Sequence, residues 1–77
     1  SIGEHTEEML QCDMTLELGE LEQLRAAIGH CESVQDFVSR DLLEKILEAE
    51  EEHVDWIETQ QHLIASTGLE NYLQSAM

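Results

Sequence analysis

The chain has 77 residues, of which 18 are acidic and three are Lys or Arg, so its formal net charge is −15. This charge argues against nucleic acid and anionic membrane surfaces as partners, because both are bound through basic side chains, and it is compatible with binding cations. The apolar share of 42% indicates a packed protein, and a chain this short needs a metal, a disulfide or a partner chain to stabilise its core.

A first helix is predicted over residues 4–32, in a chain with no proline and only four glycines. Apolar side chains recur there at gaps of three, four and seven residues, which places them on one side of a helix. The members of this stripe are Leu10, Met14, Leu21, Leu24, Ile28 and Cys31. Glu17 completes the alternation of threes and fours, so a carboxylate is predicted in the middle of an apolar stripe.

A turn is predicted at residues 33–35, followed by a second helix over residues 36–67. Ser33 and Asp36 have the spacing of a capping box, with Asp in place of the usual Glu or Gln, so Ser33 is the predicted N-cap. The stripe of this helix mixes apolar and polar side chains: Leu43, Ile46, Glu50, His53, Ile57, Gln60 and Ile64. Gly68 supplies the residue past the helix end, and a short third helix is predicted over residues 69–76.

The second helix carries another apolar stripe that repeats every seven residues. It consists of Leu42, Ala49, Trp56 and Leu63. This helix is therefore expected to bury two faces, which is more than one partner helix covers, and the short connection makes the two long helices antiparallel. We predict an all-α fold: an antiparallel helical hairpin that forms half of a four-helix bundle, plus a short C-terminal helix.

Three polar side chains share one level of the predicted hairpin. Residues at equal height have numbers that add to about 67, so Glu17 faces Glu50, and His53 projects from the same side of the helix three residues later. Burying unpaired carboxylates costs several kcal/mol, and all Lys and Arg lie off both stripes, so a bound cation is expected. A Glu on one helix and Glu-x-x-His on the next form half of a di-iron or di-manganese site.

The same residues also have purely structural interpretations. There are two alternatives to metal ligation. Glu17 is then an acid at the edge of the stripe, and His53 is a core histidine bonded to a carboxylate. Asp13 lies close to the level of His53 and is predicted to accept its other ring N–H, with an ordinary surface Asp as the alternative. The matching functional alternative is a non-catalytic, acidic helical module that assembles with partner helices.

The cysteines and the hydropathy bear on location. Cys12 and Cys31 lie about 28 Å apart if both belong to one helix, whereas a disulfide needs Cα atoms within about 7 Å. They are therefore predicted to stay unpaired, which favours a reducing cytoplasm. Apolar runs in this sequence are shorter than the roughly 20 residues of a membrane span, so no membrane partner is expected.

The chain resembles the second half of a bacterioferritin subunit. The resembling segments are Ile2–Leu18 (IGEHTEEMLQCDMTLEL), Ala27–Gln60 (AIGHCESVQDFVSRDLLEKILEAEEEHVDWIETQ) and Gly68–Met77 (GLENYLQSAM), which cover nearly the whole chain. The resemblance implies a ferritin-like di-iron fold and a cytoplasmic protein of iron storage and detoxification. In such a protein, Fe(II) is oxidised to Fe(III) at a di-iron ferroxidase site within a hollow, homo-oligomeric shell of 24 subunits.

The resemblance also implies roles for individual residues. Glu17 and His53 match ligands of one iron, and Glu50 matches the ligand that bridges both irons, so these three are the expected metal ligands and catalytic residues. Trp56 matches an aromatic residue near the site that donates electrons.

The short C-terminal helix matches the family's fifth helix, which surrounds the four-fold axes of the shell, and Asn71 and Gln74 match channel-lining positions there. The family's first two helices have no counterpart in this sequence, and they carry the other three iron ligands and the methionine that holds haem. We expect the missing half from a first-half helix pair, on a separate chain or a further segment, or from a second copy of this hairpin. Haem b is expected only in the complete assembly, because no ligand for it is identified in this chain.

Overall fold

The computed structural model describes the backbone of residues 2–75 and the side chains of residues 5–75. It contains helix α1 (Ile2–Ser33), helix α2 (Phe37–Thr67) and helix α3 (Leu69–Ser75). α1 and α2 pack together as a hairpin in a molecule 51 Å long and 17 Å across. The predicted all-α hairpin with a short C-terminal helix is confirmed, and the end of the third predicted helix, Ala76, lies outside the described residues.

α1 ends in a Schellman motif. The Gln35 N–H donates to the Glu32 carbonyl at 3.1 Å, and the Asp36 N–H donates to the Cys31 carbonyl at 2.8 Å. Gln35 has a φ of 61°, the left-handed conformation that this motif requires just past the helix end. Gly or Asn usually occupies this position, but here Gln35 adopts the left-handed conformation and the chain reverses direction after it.

Asp36, and not Ser33, is the N-cap of α2. The Asp36 carboxylate accepts a hydrogen bond from the Ser39 N–H at 3.1 Å. Hydrogen bonding by the Ser39 side chain and, to a smaller extent, by this N–H lowers the pKa of the Asp36 carboxyl group. Ser33 still belongs to α1, where its hydroxyl donates to the His30 carbonyl at 2.7 Å. The prediction of Ser33 as N-cap is wrong because α1 continues through Ser33 before the Schellman motif turns the chain.

Arg40 connects the two helices beside the turn. Its Nη1 lies 3.5 Å from a Glu32 carboxylate oxygen on α1, and its Nε lies 3.6 Å from one of Glu44 on α2. Its guanidinium also lies 4.9 Å from the centroid of the Phe37 ring. Exposed ion pairs each contribute only about 0–1 kcal/mol, so these contacts of Arg40 add little to the stability of the turn.

The core lies along the contact between α1 and α2. Its buried members are Leu10, Met14, Leu21, Val54, Ile57 and Ile64, and Leu47 packs against them. Val54 and Leu47 lie outside the predicted stripe, whereas Ile46, a member of it, is 42% exposed. α2 is thus rotated toward its Leu47 and Val54 side, because its apolar positions span a wider arc than one helix can cover.

The second apolar stripe of α2 remains open to solvent. Leu42 is 62% exposed, Trp56 54% and Leu63 41%. The hairpin therefore leaves uncovered the surface that the sequence assigns to further helices. Within residues 2–75, the helices lack an apolar stretch of the length needed to cross a membrane.

α3 folds back onto the end of the hairpin opposite the turn. Gly68, with a φ of 87°, separates it from α2, and its N–H still donates to the Ile64 carbonyl at 2.9 Å. Leu69 and Tyr72 then pack against the core, and the Tyr72 hydroxyl donates to Gln60 Oε1 at 2.7 Å. The short helix therefore closes the apolar core at this end.

Candidate metal centre

Glu17, Glu50 and His53 meet halfway along the hairpin. Glu17 comes from the middle of α1, and Glu50 and His53 come from adjacent turns in the middle of α2. One ligand atom from each of the three lies within 4.8 Å of the others, and His53 Nδ1 is 3.4 Å from Glu17 Oε1. The structure thus places these three residues on one level, as the numbering argument predicts.

Both carboxylates have an oxygen that lacks a hydrogen-bond partner. Oε2 of Glu17 and Oε2 of Glu50 are buried without a donor among the described residues, and the Glu17 side chain is only 15% exposed. A buried acceptor without a donor costs about 1–3 kcal/mol, and more when it is charged. Within residues 5–75, no Lys or Arg forms an ion pair with either carboxylate, so their charge is uncompensated by basic side chains.

The chemistry of these donors fits a divalent metal ion. Carboxylate oxygens and an imidazole nitrogen suit iron, manganese and zinc, and a cation would neutralise the two carboxylates. His53 is 47% exposed although Glu17 is nearly covered, so the cluster opens on one side of the hairpin. One hairpin provides three ligand residues and leaves room on that side for further ligands.

Trp56 and Asp13 take different positions around this cluster. The Trp56 ring lies 6.3 Å from the His53 ring, centroid to centroid, with the planes tilted by 33°. Asp13 is exposed, and no hydrogen bond joins it to His53 among the described residues. Nδ1 of His53 faces Glu17. The hydrogen bond from the other ring nitrogen of His53 to Asp13 stays a prediction.

The two residues matched to channel positions lie on α3 and are exposed. The Asn71 side-chain amide donates to the Thr67 carbonyl at 2.9 Å, which satisfies one of the last carbonyls of α2. Gln74 lies one turn further along α3. Their role as channel-lining residues stays a prediction.

Comparisons with known proteins identify the family of this chain. The sequence model of the ferritin family, described as the ferritin-like domain, matches residues 1–67. The chain belongs to this family. A bacterial ferritin of Synechocystis sp. is 48% identical over 77 residues, which are 99% of this chain and 49% of the relative.

Two further relatives show the same partial coverage of a longer protein. A bacterial ferritin of Pseudomonas aeruginosa is 47% identical over 95% of this chain and 48% of its own length. A bacterioferritin of Mycobacterium bovis is 41% identical over 92% of this chain and 45% of its own length. This ferritin-like chain therefore spans about half the length of these curated relatives, and its resemblance to bacterioferritins is confirmed.

The structure also shows a residue beside the cluster that the sequence reasoning did not single out. Glu20 and Glu50 line a groove of about 320 Å³ between α1 and α2, together with the apolar side chains of Leu24, Ala27 and Ile46. Glu20 follows Glu17 by three residues, so helical spacing alone could have placed it next to the site.

Proposed function

We propose that this ferritin-like chain supplies half of a di-iron site that oxidises Fe(II) to Fe(III), and that the complete protein stores the product as mineral. The observation that supports this most strongly is the convergence of Glu17, Glu50 and His53 together with the unpartnered buried oxygens of both carboxylates. The hairpin acts as a ferroxidase only when a second helix pair completes the bundle.

Each of the three side chains has a distinct task in this proposal. Glu17 and His53, whose ligand atoms are 3.4 Å apart, bind one Fe(II). Glu50 contributes carboxylate oxygens that two ions share. The apolar residues above and below, such as Met14 and Ile57, limit the access of water and so strengthen the attraction between carboxylates and cation.

The reaction requires an oxidant that takes two electrons from the ion pair. Two Fe(II) substrate ions give up two electrons, which with two protons reduce O2 to hydrogen peroxide, or reduce hydrogen peroxide to water. When only one Fe(II) is bound, Trp56, whose ring lies 6.3 Å from that of His53, would supply the second of the two electrons and be left as an oxidised indole. The net charge of −15 favours the approach of Fe(II) over long distances. The shell of 24 subunits, its channel at Asn71 and Gln74, the cytoplasmic location and haem b in the complete assembly remain proposals from family membership.

An iron titration of the assembled protein tests this proposal. Without oxygen, we expect two Fe(II) bound per completed bundle, and after oxygen is admitted we expect the absorbance of ferric product. Glu17→Gln, Glu50→Gln and His53→Ala should each abolish the two-metal stoichiometry. Glu51→Gln is the matched control, because Glu51 is adjacent to Glu50 but exposed. Unchanged iron uptake in the first three variants would contradict the proposal.

A non-catalytic helical module is the alternative that one observation favours. The 3.4 Å contact between His53 and Glu17 is also what a structural ion pair would provide. In that case the variants would alter the stability of the assembly, and the wild-type protein would show no stoichiometric Fe(II) binding. The titration therefore separates the two functions.

A further inference from the structure

Gln60 is a polar residue in the stripe of α2 that the candidate metal centre does not use. It follows His53 by seven residues, so it lies on the same side of the helix and about 10 Å further along its axis. The stripe residues on either side of it, Ile57 and Ile64, are buried in the core. A polar side chain among such neighbours needs a hydrogen-bond partner.

The partner of Gln60 is Tyr72 on α3. The Tyr72 hydroxyl donates to Gln60 Oε1 at 2.7 Å in a partly buried position, and Tyr72 packs against the core. This hydrogen bond joins residues that are twelve positions apart in the sequence. It fixes the phenol on the side of α2 that carries Gln60.

Gln60 is also a neighbour of Trp56. Residues four apart on a helix have Cβ atoms about 5–6 Å apart. Long side chains on a helix lean toward its N-terminus, which directs the Gln60 amide back over the turn that carries Trp56. Gln60 therefore lies between the indole ring of Trp56 and the phenol of Tyr72.

These contacts form a continuous line from the candidate metal centre to α3. The line begins at His53, whose ring lies 6.3 Å from that of Trp56, and it continues through Gln60 to the Tyr72 hydroxyl. Trp56 and Tyr72 are the one tryptophan and the one tyrosine of the 77-residue sequence. Both of its readily oxidised aromatic side chains thus lie on this line.

We propose that Tyr72 is a second electron donor, which reduces Trp56 after Trp56 has been oxidised at the metal centre. The inference rests on the proposed function, in which O2 or hydrogen peroxide takes the second of its two electrons from Trp56 when only one Fe(II) is bound. Tyr72 then moves the oxidised side chain away from the metal centre to the end of the hairpin.

The transfer balances as an exchange of one electron and one proton. Oxidised Trp56, which has lost one electron and its indole N–H proton, takes one electron from the Tyr72 phenol and regains a proton from water. Tyr72 loses that electron and its O–H proton and becomes a tyrosyl radical. The direction is favourable because the O–H bond of a phenol is weaker than the N–H bond of an indole.

Gln60 positions the phenol for this step. Its carbonyl oxygen accepts the hydrogen bond from the Tyr72 hydroxyl and holds that group in one direction. A neutral amide is too weak a base to keep the phenolic proton. The proton passes to water, because Tyr72 is only partly buried. Gln60 is thus a positioning residue, and Tyr72 is the residue that is oxidised.

Pulse radiolysis of the assembled protein without iron tests the transfer directly. Azide radicals oxidise tryptophan in preference to tyrosine, and the indolyl and tyrosyl radicals that result absorb at different wavelengths. We expect the indolyl absorbance to decay as the tyrosyl absorbance rises, at a rate independent of protein concentration. Tyr72→Phe keeps the ring and removes only the hydroxyl, so it should abolish the rise and lengthen the indolyl lifetime several-fold. Glu70→Gln, exposed on α3, is the matched control and should change neither.

Two substitutions of Gln60 test its positioning role. Gln60→Leu fills a similar volume but accepts no hydrogen bond, so the tyrosyl radical should still form but more slowly. Gln60→Glu retains an acceptor and should restore the rate. Far-UV circular dichroism checks that the helix content of the variants is equal. Equal transfer rates in the wild-type protein and both variants would contradict this role.

Freeze-quench electron paramagnetic resonance connects the transfer to iron oxidation. With substoichiometric Fe(II) and hydrogen peroxide, we expect a tyrosyl signal in the wild-type protein and an indolyl signal in Tyr72→Phe. A tyrosyl signal that persists in Tyr72→Phe overturns the proposal, as do equal indolyl lifetimes in the two proteins without iron. Transfer that occurs only without iron overturns the part of Tyr72 in iron oxidation. The iron-free experiment decides the transfer whatever the iron titration shows, so failure of this inference and failure of the proposed function are distinguishable.

Discussion

Truncating Ile57 to alanine is the sharpest test of the hairpin core. Ile57 is completely buried between the two helices, at 0% exposure. The substitution removes three carbon atoms, and the lost transfer free energy together with the cavity left behind gives a destabilisation of about 2–5 kcal/mol. A core this small supplies only about 3–5 kcal/mol in total, so the variant should be largely unfolded as a monomer.

Ile46 provides a matched control on the same helix. It loses the same three atoms in Ile46→Ala, but its side chain is 42% exposed, so the expected cost is under about 1.5 kcal/mol. Urea unfolding followed by circular dichroism, at low protein concentration and with chelator, compares the two monomers. Equal losses would refute the described hairpin as the folded unit, because Ile46 would then be as buried as Ile57.

Further predictions concern the ends of the helices. Gly68→Ala should destabilise by about 1–3 kcal/mol, because the φ of 87° and ψ of 149° at this position strain any side chain, whereas Gly19→Ala, in open space within α1, should stabilise by about 0.5–1 kcal/mol; thermal unfolding measures both. Gln35→Gly should raise the melting temperature, because it relieves the left-handed conformation in the turn. Hydrogen bonds from the side chain and then the backbone N–H of Ser39 lower the pKa of Asp36, so their stabilising effect is complete above the ordinary value of 3.8 and is lost as the pH falls through the lower folded-state pKa. Asp36→Asn, which still caps, should remove that acid-dependent part in urea titrations between pH 5 and pH 2.

The position of the candidate site along the two helices could be predicted from the sequence, because it follows from the number of residues between each site residue and the turn. A short turn fixes which positions of two antiparallel helices meet, so Glu17 and Glu50 follow from their numbers and His53 from helical spacing. The rotation of α2 could not be predicted in the same way. Its apolar positions form one wide arc, and whether Ile46 or Val54 is buried depends on how many helices surround it.

The start of α2 shows a different limit of sequence reasoning. Ser33 and Asp36 both have side chains that cap helices, and their spacing alone does not decide between them. Asp36 is the N-cap because Gln35 adopts a left-handed conformation and ends α1 before it. This conformation is rarely predicted for a glutamine from sequence. The ligand roles inferred for Glu17, Glu50 and His53 stay predictions until metal binding is measured.

The hairpin has two chemically different tips. At the turn, Val34 and Val38 are 58% and 84% exposed, whereas at the other tip α3 covers the core with Leu69 and Tyr72. Apolar side chains therefore meet water at the turn, whereas at the opposite tip the chain shields its own core.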